Sequence, residues 1–224
     1  MNKFLFPILA VILGVAIAAL SKNKKTWNTK LLLSFSGAFL LALTLFELLP
    51  EVYNHLDTKL TGLFIMGGIL LQIVLELFSK GAEHGHVHIH KHETAFPWLL
   101  FVSLCIHSFL EGFPINEHND MVYGVLVHKI PIAALISMFL FQSEFSKLQI
   151  VVFLVVFAAM TPLGTLISNT ASLSDNLAHS INAIVIGIFF HISTTILFES
   201  GEGHKFNLGK FIAIILGVGI AYFI

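Results

Sequence analysis

Apolar residues run in long blocks along this chain, broken by short polar stretches. The blocks fall near residues 4–20, 31–50, 60–78, 96–115, 121–141, 148–168, 177–198 and 208–224. Each is close to the roughly 20 residues that a helix needs to cross a bilayer. None shows the sustained two-residue alternation with turn signals that a transmembrane barrel strand requires. The pattern predicts an all-α membrane protein of eight transmembrane helices, forming a single transmembrane domain over 1–224. Its N-terminal block, "MNKFLFPILAVILGVAIAAL", has the look of a signal peptide, but the lysine cluster in "SKNKKTWNTK" follows at once. That order is a stop-transfer pattern, so the block is expected to be a retained helix.

Composition agrees with this reading. The chain is 56% hydrophobic and 11% charged, where a soluble domain is about 25% charged. There is no basic stripe for nucleic acid, and the formal charge of -1 indicates no partner. One cysteine, Cys105, excludes a disulfide framework or a cysteine-based metal site within the chain. The charges are sorted by position. Lys22, Lys24, Lys25 and Lys30 lie in the first loop, Lys80 and Lys91 in the third, Lys147 in the fifth, Lys205 and Lys210 in the seventh. The other side has only Lys3 and Lys59, and Lys129 falls inside a helix. The positive-inside rule then places the odd loops in the cytoplasm and both termini outside. The longest polar break, at 79–95, is a cytoplasmic loop in this scheme. It carries His84, His86, His88, His90 and His92 at every second position, a loose metal-binding patch rather than part of a pathway. "LTLFELLPE" and "TTILFESGE" both place a glutamate near a helix end (Glu47, Glu199), a weak sign of an inverted repeat.

Ionisable side chains in hydrocarbon are expensive and face a partner or a water-filled path. The fourth block reads "LCIHSFLEGFPI" and puts His107 and Glu111 four residues apart, on one helix face. The fifth reads "VYGVLVHKIPIAAL", with His128, Lys129 and Pro131 deep inside it. Pro114 and Pro131 are each expected to kink their helix. As antiparallel neighbours joined by the short loop "NEHND", these helices can set His107, Glu111 and His128 around one point. Two imidazoles and a carboxylate with a position left open suit Zn²⁺ or another borderline divalent ion. A His–Glu hydrogen bond within the helix is the plainer alternative for the first pair. His191, followed by three hydroxyl residues, reads as either a scaffold or a pathway-lining group. Glu47 reads as a guide for cations at the outer mouth or as a helix contact. The polar loop Asn116, Glu117, His118 and Asp120 reads as a solvated turn.

These residues resemble the ZIP (Zrt/Irt-like) divalent metal transporters. "HSFLEGFPI" and "HKIPIA" are similar to that family's fourth- and fifth-helix signatures, and "LLPE" closes the second helix as it does there. The resemblance implies an uptake carrier for Zn²⁺, with Fe²⁺, Mn²⁺ and Cd²⁺ as further cargo, in the plasma or inner membrane. It implies a homodimer embedded in lipid, a 3+2+3 helix arrangement, no bound cofactor, and helices one, four, five and six sliding as a unit against the rest. Family members often hold two metals side by side. Here the positions that would bridge or hold the second are Ile132, Ser108, Lys129 and Thr161. An ammonium accepts no hydrogen bond and repels a cation. The expectation is therefore one metal, with Lys129 standing in for a second and balancing Glu111 when the metal leaves. Imidazole ligands must be neutral, so metal affinity should fall as pH drops below about 6.5. The competing readings are an intramembrane metalloenzyme, for which no H-E-x-x-H motif is present, and a sensor that binds metal without moving it.

Overall fold

The computed structural model describes residues 2–21, 29–79, 81, 96–199 and 207–224, and these are overwhelmingly helical. The expected histidine-rich patch at 84–92 lies outside the described residues. The helices are α1 (Asn2–Leu20), α2 (Thr29–Leu43), α3 (Leu49–His55), α4 (Thr58–Ser79), α5 (Trp98–Leu110), α6 (Met121–Gln142), α7 (Lys147–Thr170), α8 (Asp175–Glu199) and α9 (Leu208–Phe223). Between α2 and α3 the chain stays helical through a π turn, Thr44–Leu48. Pro50 follows and has no N–H to offer the Phe46 carbonyl, and a local widening of the helix accommodates that loss. The second apolar block therefore extends beyond its sequence limit to His55, as one run of 27 residues.

Among the described residues, six helical runs are long and apolar enough to cross a membrane: α1, α2 through α3, α4, α6, α7 and α8. This is a multi-pass helical membrane protein. The apolar helices α5 and α9 are shorter. The 13 residues of α5 span only about 20 Å, against about 30 Å of hydrocarbon. The sequence block continued to residue 115 with a kink at Pro114. In the structure the helix stops at Leu110 with Glu111 as its C-cap, and Pro114 lies beyond the end. The backbone past the stop is mended by α7. Thr165 Oγ1 donates to the Gly112 carbonyl at 2.9 Å, Ser168 Oγ to Phe113 at 2.8 Å and Asn169 Nδ2 to Ile115 at 3.1 Å. Carbonyls facing hydrocarbon would be costly, and these acceptors are met by protein donors instead. Pro131, the other expected break, sits inside an uninterrupted α6.

The helices pack as two groups. In one, α1 lies along α6 while α7 contacts both α1 and α5. In the other, α4 lies along α8, and α2 contacts both α9 and α8. The groups form one continuous bundle, since α2 packs on α6 as extensively as α5 packs on α7, and α4 also contacts α5. Close backbone approach fixes the register within each. A Cβ on Gly164 of α7 would collide with the Phe109 carbonyl of α5, and one on Gly187 of α8 with the Ile65 carbonyl of α4. Without a driving force from water, such small-residue crossings are how helices associate in lipid.

Candidate metal centre

The stop of α5 sets the position of the site. His107 lies in the last turn of α5 and Glu111 caps it. Their i to i+4 spacing survives, with Nε2 to Oε2 at 3.5 Å. His128 and Lys129 project from the middle of α6. All four are sealed from the surface, with exposures of 4% for His107, 1% for Glu111 and 2% each for His128 and Lys129. The two imidazole rings stand edge to face with centroids 6.5 Å apart. The structure thus places His107, Glu111, His128 and Lys129 near one another. Among the described residues, however, no three His, Cys, Asp or Glu side chains already stand in ligating position.

Lys129 holds the other oxygen of Glu111. Its ammonium forms a salt bridge with Glu111 Oε1 and donates to Ser108 Oγ at 2.9 Å. It also lies over the face of Phe157, 4.3 Å from the ring centroid. Thr161 Oγ1 donates to the same Glu111 oxygen at 2.6 Å. One carboxylate oxygen is thus held by an ammonium and a hydroxyl, while Oε2 is turned to His107. A buried ion pair is stable only when its remaining valences are met. Here Ser108, Thr161 and the π face of Phe157, itself buried, meet them. Desolvated cation–π contacts contribute about 2 kcal/mol.

Thr161 and Phe157 come from α7, and the close approach at Gly164 brings that helix near enough to reach Glu111. Sequence reading took Thr161 as a poor replacement for a metal-binding acid. Its hydroxyl instead donates to Glu111 across the α5–α7 crossing. Ile132, at the expected position of the bridging carboxylate, is buried among apolar side chains including Val11, Leu104 and Ile136. His107 Nδ1 is buried without a hydrogen-bond partner among the described residues.

A family model described as ZIP zinc transporter matches residues 79–224. The chain belongs to the ZIP family. Similar proteins include a zebrafish (Danio rerio) protein named Zinc transporter ZIP1, 36% identical over 88 residues, or 37% of this chain and 29% of that one. A Plasmodium falciparum protein of the same name is 26% identical over 161 residues, covering 62% of this chain and 45% of the relative. Protein zntD of Dictyostelium discoideum is 26% identical over 164 residues, covering 62% and 24%. The ZIP chain spans less than half the length of each of these relatives.

The other expected residues of this ZIP chain lie elsewhere. Glu47 emerges from the π turn, and its Oε2 accepts from the Asp120 N–H at 2.9 Å, so it caps the start of α6. It also lines a pocket of about 340 Å³ with Glu51, Asn116, His118, Asn119 and Asp120. The Glu47–Asp120 bond links the two helix groups. His191 Nε2 lies 2.6 Å from Glu76 Oε2, joining α8 to α4, which makes it a helix-to-helix tie.

Proposed function

We propose that this ZIP chain is a carrier that moves a divalent metal ion, zinc foremost, into the cytoplasm, holding one ion at a time between α5 and α6. The observation that carries this reading is the buried set His107, Glu111, His128 and Lys129 in a chain of this family. The relatives' names supply zinc as the cargo. Fe²⁺, Mn²⁺ and Cd²⁺ share the borderline or oxygen-tolerant chemistry that the same donors accept.

The geometry suits this task. Zinc bonds of about 2.0–2.2 Å in a tetrahedron put neighbouring ligand atoms about 3.3–3.5 Å apart. His107 Nε2 and Glu111 Oε2 are already at 3.5 Å. The ion enters that gap, and rotation of His128, one ring away, completes three protein ligands with the fourth position left to water. Lys129 remains on Oε1, where its charge bars a second ion. When the cargo leaves, the Lys129–Glu111 pair keeps the carboxylate compensated, so no bare charge is left in the bilayer. Binding must replace hydration yet permit release, and a set of three ligands with one only loosely placed meets both needs.

The lysine distribution orients the carrier with both termini outside and the end bearing the 116–120 loop facing out. In that frame Glu47 and its pocket form the outer mouth. The helix grouping supports movement of α1, α5, α6 and α7 as one body against α2 with α3, α4, α8 and α9. Eight spans in a 3+2+3 order, with α5 and α9 as short spans, and a homodimer in the plasma or inner membrane complete the proposal. The sensor reading is separated by transport itself. Purified chain in proteoliposomes should accumulate radioactive Zn²⁺, and Glu111→Ala should abolish this. Binding without accumulation in the unaltered chain would overturn the carrier reading.

A further inference from the structure

At the end of the bundle that carries the Glu47–Asp120 bond, two imidazoles from different helices lie face to face. His55 closes α3 and His179 stands one turn into α8. Their ring centroids are 4.1 Å apart and their planes 13° from parallel. His55 Nδ1 meets the Glu51 carbonyl oxygen at 2.7 Å. A carbonyl only accepts, so Nδ1 carries a proton, and a neutral ring in this tautomer would offer its lone pair at Nε2. His179 Nδ1 is buried and has no hydrogen-bond partner among the described residues. An unsatisfied buried nitrogen is costly, and most such atoms in folded proteins find a partner. Neutral imidazoles with lone pairs to offer are the donors that borderline divalent ions select.

We propose that His55 and His179 form a two-imidazole site for a borderline divalent metal ion, distinct from the centre between α5 and α6, and that the bound ion clamps α3 to α8. Opening the parallel stack into a shallow V, by rotation of the rings about χ2, converges one nitrogen from each on a single ion. The separation to be reached is about 3.3 Å. Two positions then remain for water or a carboxylate. Asp175 stands one turn before His179 on the same face of α8, within the reach that i to i+4 spacing gives. Both helices belong to the same packing group, so an ion here tightens that group without tying it to the other. The site stands independently of the carrier reading, because it needs only binding.

The test uses the full chain with the five loop histidines at 84–92 replaced by serine, purified in detergent and equilibrated with Zn²⁺. The expected result is that His55→Gln and His179→Gln each lower the retained zinc by one ion per chain, and that Glu111→Gln removes a different ion. Retention unchanged by both histidine substitutions overturns the site, whatever the count at Glu111. Should either variant fold poorly, Cu²⁺ electron paramagnetic resonance on the unsubstituted pair decides. A signal coupled to two nitrogens that persists when His107→Gln and His128→Gln are both introduced supports the site, and coupling to one or none in that background overturns it.

Discussion

Lys129 is the residue on which the deep centre turns. Removing one partner of a buried ion pair typically costs about 3–5 kcal/mol, because the other charge is left uncompensated. Lys129→Met should therefore lower the thermal midpoint of the metal-free chain sharply in detergent. Added Zn²⁺ should restore more of it than it adds to the unaltered chain. A midpoint indifferent to the substitution would show that Glu111 is compensated elsewhere. Lys129→Asp exchanges a repelling cation for a ligand, and the retained zinc should rise by one ion. Thr161→Val keeps shape but removes the donor to Glu111 Oε1 (2.6 Å). Hydrogen bonds to charged groups are worth about 1.5–3 kcal/mol. Zinc affinity measured by calorimetry should fall by roughly tenfold or more, and Thr161→Ser should recover most of it. The nearness of His107 and Glu111 was legible in the sequence because a His and a Glu at helical spacing in hydrocarbon demand a reason. Thr161 and Phe157 were not, since their role depends on which helix lies opposite, and spacing along one helix does not report that. The His55–His179 stack was missed for the same reason: its members are 124 residues apart in the chain and meet only by tertiary packing.

Among the elements, α5 departs furthest from its sequence pattern. Hydropathy sees a continuous apolar block, whereas the helix yields at Glu111 because α7 offers hydroxyl and amide donors for the carbonyls beyond. That exchange is invisible to a method that weighs one segment at a time. The location of the remaining helices was readable, as their apolar blocks are long and the polar breaks clear. The π turn was not, because it alters hydrogen bonding without altering composition. The close crossing of α7 and α5 gives a direct check. Gly164→Ala adds a methyl that overlaps the Phe109 carbonyl and should cost about 1–3 kcal/mol by overpacking. It should also weaken zinc binding by withdrawing Thr161. Gly62→Ala, which meets nothing within 4 Å, should leave both thermal midpoint and affinity close to those of the parent.

For the whole molecule, the two packing groups make a mechanical prediction. Gly124 of α6 and Leu43 of α2 belong to different groups, and a Cβ at Gly124 would lie 4.0 Å from that of Leu43. This is within the range a disulfide spans. In a background with Cys105→Ser, the pair Gly124→Cys and Leu43→Cys should arrest zinc uptake on oxidation and regain it on reduction. The control is Gly37→Cys with Ile196→Cys, whose Cβ atoms would stand 3.4 Å apart inside one group. It should transport in both redox states. Equal arrest in the two pairs would mean that the groups do not slide against each other.

The salt bridge between Lys129 and Glu111 has an electrical consequence. Without cargo the two charges sum to zero, while the loaded centre carries the full double charge of the metal. In the proposed carrier, a membrane voltage therefore acts on the loaded journey and leaves the unloaded return almost untouched. An interior-negative potential of 100 mV would favour inward passage of that double charge by roughly 5 kcal/mol if it crossed the whole field. Vesicles clamped negative inside by a potassium gradient and valinomycin should thus fill faster than unpolarised ones. With Lys129→Met the balance shifts: the return leg carries the bare carboxylate charge, and the voltage begins to govern that leg as well.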